Sequence, residues 1–297
     1  MLIIYIASHS VEKKFSIQKE MKLFFLILFL VIFLLLFVSR ILIPPTMPLT
    51  KPYLCFLSVR PSMDFYDLCV RFVPFYNVFV CVDDNDYQIP WNHDQIQIIR
   101  LPNQICEETG YHSTVLYFQR KACSRDKALY YFSEILPLSF KEQIWFIEED
   151  VYLPTVNTLT RLDQKYKHTD LLCRDLIPKS KAPEWKFWHY CPFQEKQCIR
   201  TMICMIRLSG RALSSVKDFA KKNQTLFLDE ILFPSIATVN KLRIKCPEEL
   251  QFIRYRDTEK KFPTTPVNVN KNFAYHPIKN LALQKALSGL SITNEVE

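Results

Sequence analysis

Glycine is scarce in this protein: only three of its 297 residues are glycine. The chain therefore has no G-x-G-x-x-G or Walker sequence, which excludes a phosphate-binding loop built from glycines. The G-x-S-x-G turn that presents the nucleophile of many hydrolases is also missing. A sulfotransferase needs a phosphate-binding loop with Ser, Thr and Lys after its first strand. The segment at that place, Val59-Arg60-Pro61-Ser62, matches this pattern poorly, which argues against a sulfotransferase. Any nucleotide site in this protein must be built without glycine loops.

No C-x-x-C pair occurs among the ten cysteines, which argues against a zinc ribbon. In an oxidising compartment some of these cysteines would form disulfides. Cys191 with Cys198, or Cys173 with either of them, are the candidate pairs. Cys204 lies inside an apolar run, which is typical of a buried thiol.

The chain also lacks a stripe of Lys and Arg interleaved with aromatic residues, so nucleic acid is not an expected partner. The formal net charge is +8, but residues 1–50 hold five basic and two acidic residues, which leaves +5 for the rest. This mild excess suits an anionic substrate such as a sugar nucleotide.

The longest apolar run covers residues 23–38, sixteen residues without a charge, a glycine or a proline. At about 1.5 Å per residue it spans roughly 24 Å, and residues 41–43 extend it towards the ~30 Å of a hydrocarbon core. No small-residue cleavage site follows, so an uncleaved anchor is expected rather than a signal peptide. Four lysines precede the run and only Arg40 and Lys51 closely follow it, which predicts a cytosolic N-terminus.

These features divide the chain into five parts. Residues 1–22 are expected to form a cytosolic tail, 23–43 a transmembrane signal anchor, 44–52 a stem, 53–285 a lumenal domain and 286–297 a C-terminal tail. The expected protein is a single-pass, type II protein of the Golgi or endoplasmic reticulum membrane.

After the stem, short apolar strands alternate with helices. Strands are predicted at 53–59, 77–82, 96–101, 144–147, 171–172, 201–207, 242–244 and 252–255, and helices at 63–72, 126–135, 155–166, 211–222 and 228–239. Strands that are apolar throughout are typical of a parallel sheet buried on both faces. The predicted fold class is therefore α/β, a single Rossmann-like domain with a mainly parallel central sheet. In such sheets ligands collect at the carboxyl ends of the strands.

The sharpest motif is Glu148-Glu149-Asp150, which directly follows the predicted strand at 144–147. Side chains alternate along an extended chain, so Glu148 and Asp150 are expected on one side, where they can share a divalent cation. Such a cation would neutralise a pyrophosphate and stabilise a departing nucleoside diphosphate. A solvated acidic turn is the alternative explanation of the same residues.

The segment 145–151, Trp-Phe-Ile-Glu-Glu-Asp-Val, resembles the metal-binding strand end of the GT-A-fold glycosyltransferases. Leu228-Asp229-Glu230 resembles their later acidic helix start, and Tyr275-His276-Pro277 resembles the C-terminal histidine that often completes their metal site. The three segments occur in the order typical of that class. The chain departs from the pattern at Glu148, where Asp is usual, and in lacking a glycine-rich acceptor loop.

The resemblance implies a glycosyltransferase that uses a nucleotide sugar, with UDP as the expected nucleotide, and Mn²⁺ or Mg²⁺. Glu148, Asp150 and His276 would be the metal ligands, and the acceptor would be a glycan or glycoprotein. Asp229 or Glu230 would be the base that deprotonates an acceptor hydroxyl. Helix capping and the helix dipole explain the same two acids without any function.

Four further residues are candidates for binding the nucleotide. Asp83 and Asp84 end a predicted strand, where α/β nucleotide sites often place a carboxylate against the ribose or base. An Asp-Asn-Asp turn explains these two residues without function. Arg125 and Asp126 begin the helix before the acidic strand, at positions that the resemblance assigns to nucleotide contact.

One alternative function stays open: a non-catalytic, membrane-anchored glycan-binding or scaffold protein with the same fold. The Glu148 departure favours it, and failure to bind a metal and a nucleotide would support it. The aromatic segment 185–190 either lines an acceptor site or packs over the edge of the sheet.

Overall fold

The structure, a computed structural model, describes residues 51–91, 94–113, 122–255 and 268–290. The predicted cytosolic tail, the predicted anchor at 23–43, most of the stem and the tail beyond residue 290 lie outside these ranges. Within the described part of the chain, no helix is both long and apolar enough to cross a membrane.

The strands and helices are short. The strands are β1 (Tyr53–Ser58), β2 (Asn77–Val82), β3 (Ile96–Ile99), β4 (Gln143–Glu148), β5 (Leu171–Leu172), β6 (Ile177–Pro178), β7 (Ile199–Arg200), β8 (Met205–Ser209), β9 (Ile244–Lys245), β10 (Phe252–Ile253) and β11 (Tyr275–His276). The α-helices are α1 (Met63–Val70), α2 (Asn103–Glu108), α3 (Ser124–Tyr130), α4 (Val156–Lys165), α5 (Gly210–Asn223), α6 (Asp229–Val239) and α7 (Leu281–Leu287). A π-helix, Tyr131–Ile135, continues α3.

Seven strands form a central sheet in the order β3-β2-β1-β4-β8-β5-β9. Strands β3, β2, β1 and β4 run parallel to one another, β8 is antiparallel to β4 and β5, and β9 is parallel to β5. The predicted α/β class with a mostly parallel sheet is confirmed. The register of β1 with β4 places Leu57 beside Glu148, so the carboxyl ends of these strands meet at one edge.

Both faces of the sheet are buried, which is why its central strands are apolar throughout. Along β1, Cys55 and Leu57 pack on the side of α3, α5 and α6, whereas Leu54 and Phe56 pack on the side of α1 and α4. Side chains alternate between the two faces of a strand, so a strand covered on both sides needs apolar residues at every position.

Several predicted elements have different bounds, and hydrogen bonds explain the difference for two of them. The predicted strand at 201–207 is wrong in its first half: Thr201 donates its backbone N–H to the carbonyl of Glu230 at 2.9 Å, and β8 begins at Met205. The helix predicted at 126–135 begins at Ser124 and changes to a π-helix at Tyr131. Both differences arise from hydrogen bonds that hydrophobic periodicity does not report.

The predicted domain boundary at residue 285 falls inside α7, a helix that the sequence did not predict. Tertiary contacts explain its presence. The buried Lys285 donates to the carboxylates of Asp64 and Asp67 in α1, at 2.7 and 2.8 Å. The C-terminal helix is thereby fixed to the first helix of the domain.

All three glycines occupy positions where another residue would be strained, and Gly210 and Gly289 illustrate the two reasons. A Cβ on Gly210, at the start of α5, would lie 2.1 Å from the carbonyl oxygen of Ser139. Gly289 follows α7 with φ +71°. Its N–H donates to the carbonyl of Ala286, and the N–H of Leu290 donates to the carbonyl of Lys285, a pair of bonds that forms a Schellman cap. Glycine is thus used only for close packing and for left-handed backbone.

The first of the candidate disulfides, Cys191–Cys198, is confirmed. Cys173 pairs with neither of these cysteines, since its Sγ lies 3.8 Å from the Sγ of Cys246 at the neighbouring end of β9. Cys204 is a buried thiol, as its apolar surroundings predict.

Candidate active site

A cavity of about 510 Å³ opens at the edge of the sheet where β1 and β4 end. The ends of these strands, the starts of α3 and α6, and the segment before α7 all contribute to its wall. Four of the lining residues are acidic (Glu148, Glu149, Asp150 and Asp229) and two are basic (Arg125 and Lys279). This excess of negative charge favours a bound cation.

The acidic segment leaves β4 with its side chains in two directions. Glu149 turns towards β1, because its N–H bonds to the carbonyl of Leu57 at 3.2 Å and its carboxylate accepts from the Ser58 hydroxyl. Burial raises the pKa of Glu149, although the Ser58 hydrogen bond opposes the shift. Glu148 and Asp150 are left on the side of His276.

Backbone pairing brings His276 to this segment across 126 residues of sequence. Tyr275 exchanges two backbone hydrogen bonds with Tyr152, at 2.8 and 3.0 Å. Two residues beyond His276, the N–H of Ile278 donates to the carbonyl of Asp150 at 2.8 Å. The histidine is therefore held on both sides by bonds to the chain that follows β4.

The imidazole of His276 faces both carboxylates with the same nitrogen. Its Nε2 lies 3.2 Å from Asp150 Oδ1 and 4.0 Å from Glu148 Oε2, while Nδ1 lies 2.7 Å from the carbonyl oxygen of Arg254. Burial lowers the pKa of His276, but the hydrogen bond and charge of Asp150 outweigh it and raise the pKa. Because a carbonyl oxygen only accepts hydrogen bonds, Nδ1 carries a proton and donates it to Arg254, which leaves Nε2 for the carboxylates or for a metal.

Arg125 connects the two acidic motifs within the wall of the cavity. It is buried at the start of α3, and it contacts Glu148 Oε1 at 2.6 Å and Asp229 Oδ2 at 3.5 Å. Burial alone lowers the pKa of Arg125, but Glu148 and Asp229 raise it above its usual value. Because Arg125 uses only Oε1, the Oε2 atom of Glu148 stays available on the side of His276.

Two of the three predicted metal ligands, Glu148 and His276, belong to a group of side chains that could hold a metal ion. His276 Nε2 lies 3.2 Å from Asp150 Oδ1 and 4.0 Å from Glu148 Oε2, and mixed oxygen and nitrogen donors suit divalent first-row metals. Asp150 does not belong to the group whose donor atoms all lie within 4.8 Å of one another. Sequence reasoning missed a fourth donor, Cys204, which with Glu148 and His276 forms a group whose donor atoms lie within 4.8 Å of one another. Only the register of β4 with β8 could have revealed it.

The two candidate bases occupy different surroundings. Asp229 lines the cavity as the first residue of α6, and its buried Oδ1 has no hydrogen-bond partner among the described residues. Burial raises the pKa of Asp229, partly offset by Arg125. Glu230 does not line the cavity; burial raises its pKa too, with Arg200 opposing the shift.

Asp126 lies beneath the cavity rather than in its wall. It is buried, and its Oδ2 accepts the backbone N–H of Cys123 at 3.0 Å, which caps α3. Burial and the nearby charge of Asp229 raise the pKa of Asp126 to about 8. Its contacts are those of a helix cap that supports the Arg125 position next to it.

Asp83 and Asp84 lie beside the cavity but do not line it. Their N–H groups bond to the carbonyls of Ser58 and Val59, at 2.9 and 3.3 Å. The Asp84 carboxylate pairs with Arg60 at 2.7 Å and accepts the N–H of residue 86 at 3.1 Å, so it closes a turn.

The aromatic segment 185–190 packs largely on itself. Trp188 is buried and donates its Nε1–H to the carbonyl of Ala182 at 2.6 Å. Trp185 stacks edge-on against Trp188 with ring centroids 4.9 Å apart, and the guanidinium of Arg200 lies 4.9 Å from the Trp185 centroid. Of the two interpretations of this segment, acceptor site or packing, these contacts favour packing.

Together these features define an α/β protein with a carboxylate-lined cavity, a candidate ligand site, at the carboxyl edge of a mostly parallel sheet. No protein-family model matches the chain, and no curated protein matches it in sequence.

Among solved structures, mouse xyloside xylosyltransferase 1 in its apo form overlaps 66% of this chain and 84% of its own, with 10% identity and a TM-score of 0.37. The galactosyltransferase LgtC, in complex with donor and acceptor sugar analogues, overlaps 82% of this chain and 97% of its own, with 11% identity and a TM-score of 0.40. Structural similarities this weak support no conclusion about activity. Any proposal about activity must therefore rest on the residues of this chain.

Proposed function

We propose that this chain is a GT-A-like glycosyltransferase that transfers a sugar from a nucleotide-sugar donor, UDP-linked, to a glycan or protein acceptor. One observation carries the proposal: Glu148 and Asp150 line a cavity where two parallel strands end, and their carboxylates lie 4.0 and 3.2 Å from the same nitrogen of His276. Ligands of open α/β sheets bind at this edge. A cavity of about 510 Å³ is also in the size range of small-molecule sites.

The residues around the cavity would have different roles in such a transfer. Glu148, Asp150 and His276 would hold a divalent cation, which neutralises the diphosphate of the donor. Lys279, exposed at the rim and without an ion pair among the described residues, supplies a second positive charge for the phosphate oxygens. Arg125 holds Glu148 and Asp229 in place through its two contacts.

The proposal is tested by titrating UDP and GDP calorimetrically into the full-length chain purified in detergent, with and without a divalent cation. We expect UDP to bind with a dissociation constant of about 1–100 µM when the cation is present and much more weakly without it, since the diphosphate charge is then unneutralised. A folded chain that binds neither nucleotide under any condition would contradict the proposal and favour the non-catalytic, glycan-binding alternative.

Asp229 is proposed as the base that takes the proton of the acceptor hydroxyl, because it lines the cavity and Glu230 does not. A carboxylate whose pKa is raised by burial is a stronger base than an exposed one. We expect Asp229→Asn to lower the turnover number about 100- to 10,000-fold while leaving UDP affinity unchanged.

Glu230→Gln is the matched control, since it removes the neighbouring charge from the same helical turn. We expect it to change turnover far less than Asp229→Asn. Equal losses in the two variants, or a larger loss in Glu230→Gln, would exclude Asp229 as the base.

We further propose that residues 23–43 anchor the protein in the Golgi or endoplasmic reticulum membrane, with the domain in the lumen. The charge-free apolar run and the lysines before it support this topology. The Cys191–Cys198 disulfide suits an oxidising compartment.

Protease treatment of intact microsomes that contain the full chain tests this topology. We expect the domain to be protected until detergent is added. Asn223-Gln224-Thr225 is an N-glycosylation sequon, and Asn223 is exposed at the end of α5. A glycan that endoglycosidase removes, and that Asn223→Gln lacks, would agree with a lumenal domain. Digestion of the domain in sealed microsomes would overturn the proposed orientation.

A further inference from the structure

Cys204 lies directly opposite Glu148 at the end of the β4–β8 ladder. The antiparallel register pairs Ile147 with Met205, and the N–H of Glu148 continues it by bonding to the carbonyl of Cys204 at 2.9 Å. Residues directly opposite in an antiparallel pair have their Cβ atoms about 4.5–5.5 Å apart on the same face. The thiol therefore shares the face and the end of the sheet from which Glu148 reaches the cavity.

The thiol also approaches the imidazole. The Sγ of Cys204, a carboxylate oxygen of Glu148 and a ring nitrogen of His276 all lie within 4.8 Å of one another. Cys204 is buried, and its neighbour Ile203 lines the cavity. Among the residues that the structure describes, no other cysteine belongs to such a group of potential metal ligands.

The spacing suits coordination after small rotations of the side chains. Bonds of about 2.0–2.3 Å to oxygen, nitrogen and sulfur place the ligands of a tetrahedral ion roughly 3.3–3.7 Å apart. His276 Nε2 lies 3.2 Å from Asp150 Oδ1 and 4.0 Å from Glu148 Oε2, close to those edges. The Arg254 carbonyl already orients the imidazole with Nε2 towards the group.

We infer that Cys204 is a ligand of the divalent cation, and that the site therefore selects thiophilic Zn²⁺ or Co²⁺ over Mn²⁺ and Mg²⁺. The inference deepens the metal-dependent part of the proposed function and rests on it. A thiolate is a soft donor that favours zinc-like ions, whereas Mn²⁺ and Mg²⁺ prefer all-oxygen sites. On binding, the thiol loses its proton to solvent and the sulfur donates a lone pair to the metal.

The test is to titrate Co²⁺ into the metal-free, full-length chain and record its absorption spectrum. We expect a near-ultraviolet thiolate-to-cobalt charge-transfer band in the wild-type chain. The band should be absent in Cys204→Ser, whereas the visible ligand-field bands of bound Co²⁺ should persist at higher metal concentration. Cys106→Ala, which removes a thiol equally buried but placed on α2, is the matched control and should keep the band.

A competition measurement completes the test. We expect Cys204→Ser to weaken Zn²⁺ binding about 100-fold or more, since the loss of outer-shell partners alone costs 10- to 100-fold. Its Mn²⁺ affinity should change little. Co²⁺ bound without a charge-transfer band, or equal Zn²⁺ affinities for wild type and Cys204→Ser, would overturn the inference and leave an oxygen and nitrogen site intact. A chain that binds UDP but no divalent cation would overturn the metal site altogether, whereas loss of UDP binding would count against the proposed function.

Discussion

Asp150→Asn is expected to lower turnover about 100- to 1000-fold and to abolish the metal-dependent part of UDP binding. The substitution keeps the size of the side chain but removes the charge 3.2 Å from His276 Nε2. Neutralisation of a diphosphate by a bound cation contributes several kcal/mol, and each 1.36 kcal/mol corresponds to tenfold in rate. The measurement is UDP titration with and without the cation, followed by turnover with a panel of UDP-sugars.

Asp218→Asn is the matched control, because Asp218 is exposed on α5 far along the chain from the acidic segment. It should leave both UDP affinity and turnover unchanged. If Asp150→Asn retained metal-dependent UDP binding, Asp150 would not be a ligand. The proposed site would then reduce to the Glu148, Cys204 and His276 group.

Asp163→Ala is expected to lower the free energy of unfolding by about 3–5 kcal/mol. Asp163 Oδ1 accepts from Arg207 at 2.7 Å and from the indole of Trp145 at 2.9 Å, and its Oδ2 accepts from the Tyr76 hydroxyl at 2.7 Å. Water solvates Arg207 poorly, because only 1% of the residue is exposed. Removal of the carboxylate leaves this buried cation and two buried donors without their acceptor.

Urea unfolding of the full chain in detergent, compared with wild type, measures the loss. Asp218→Asn should stay within about 0.5 kcal/mol of wild type, as expected for an exposed position. A loss below about 1 kcal/mol in Asp163→Ala would mean that water enters and solvates the guanidinium of Arg207. The network would then contribute little to stability.

The central strands were predictable because burial on both faces forces a simple pattern. Positions 78–82 and 144–147 are apolar at consecutive residues, as expected of strands in a sheet covered on both faces. The two-residue strands β6 and β7 and the helices α2 and α7 were not predicted. They depend on contacts such as those of Lys285 with α1, which leave no periodic signal in the sequence.

The sequence predicted that a ligand site lies after β4, but it did not predict how the side chains are arranged there. The position of Glu148-Glu149-Asp150 after an apolar strand indicated a ligand site, since chain order fixes which end of a parallel strand carries the next residues. The sequence left Asp229 and Glu230 as equal candidates for the base. It also suggested Asp126 for nucleotide contact, whereas its carboxylate caps α3.

The sequence by itself determined the alternation of strands and helices, the acidic end of β4 and the apolar run near the N-terminus, because these are properties of neighbouring residues. Only the tertiary structure decided which distant residues meet. His276 reaches Asp150 through the pairing of Tyr275 with Tyr152, and Cys204 reaches Glu148 through the register of β8. Register and long-range pairing follow from how whole elements pack, so no local pattern of residues encodes them.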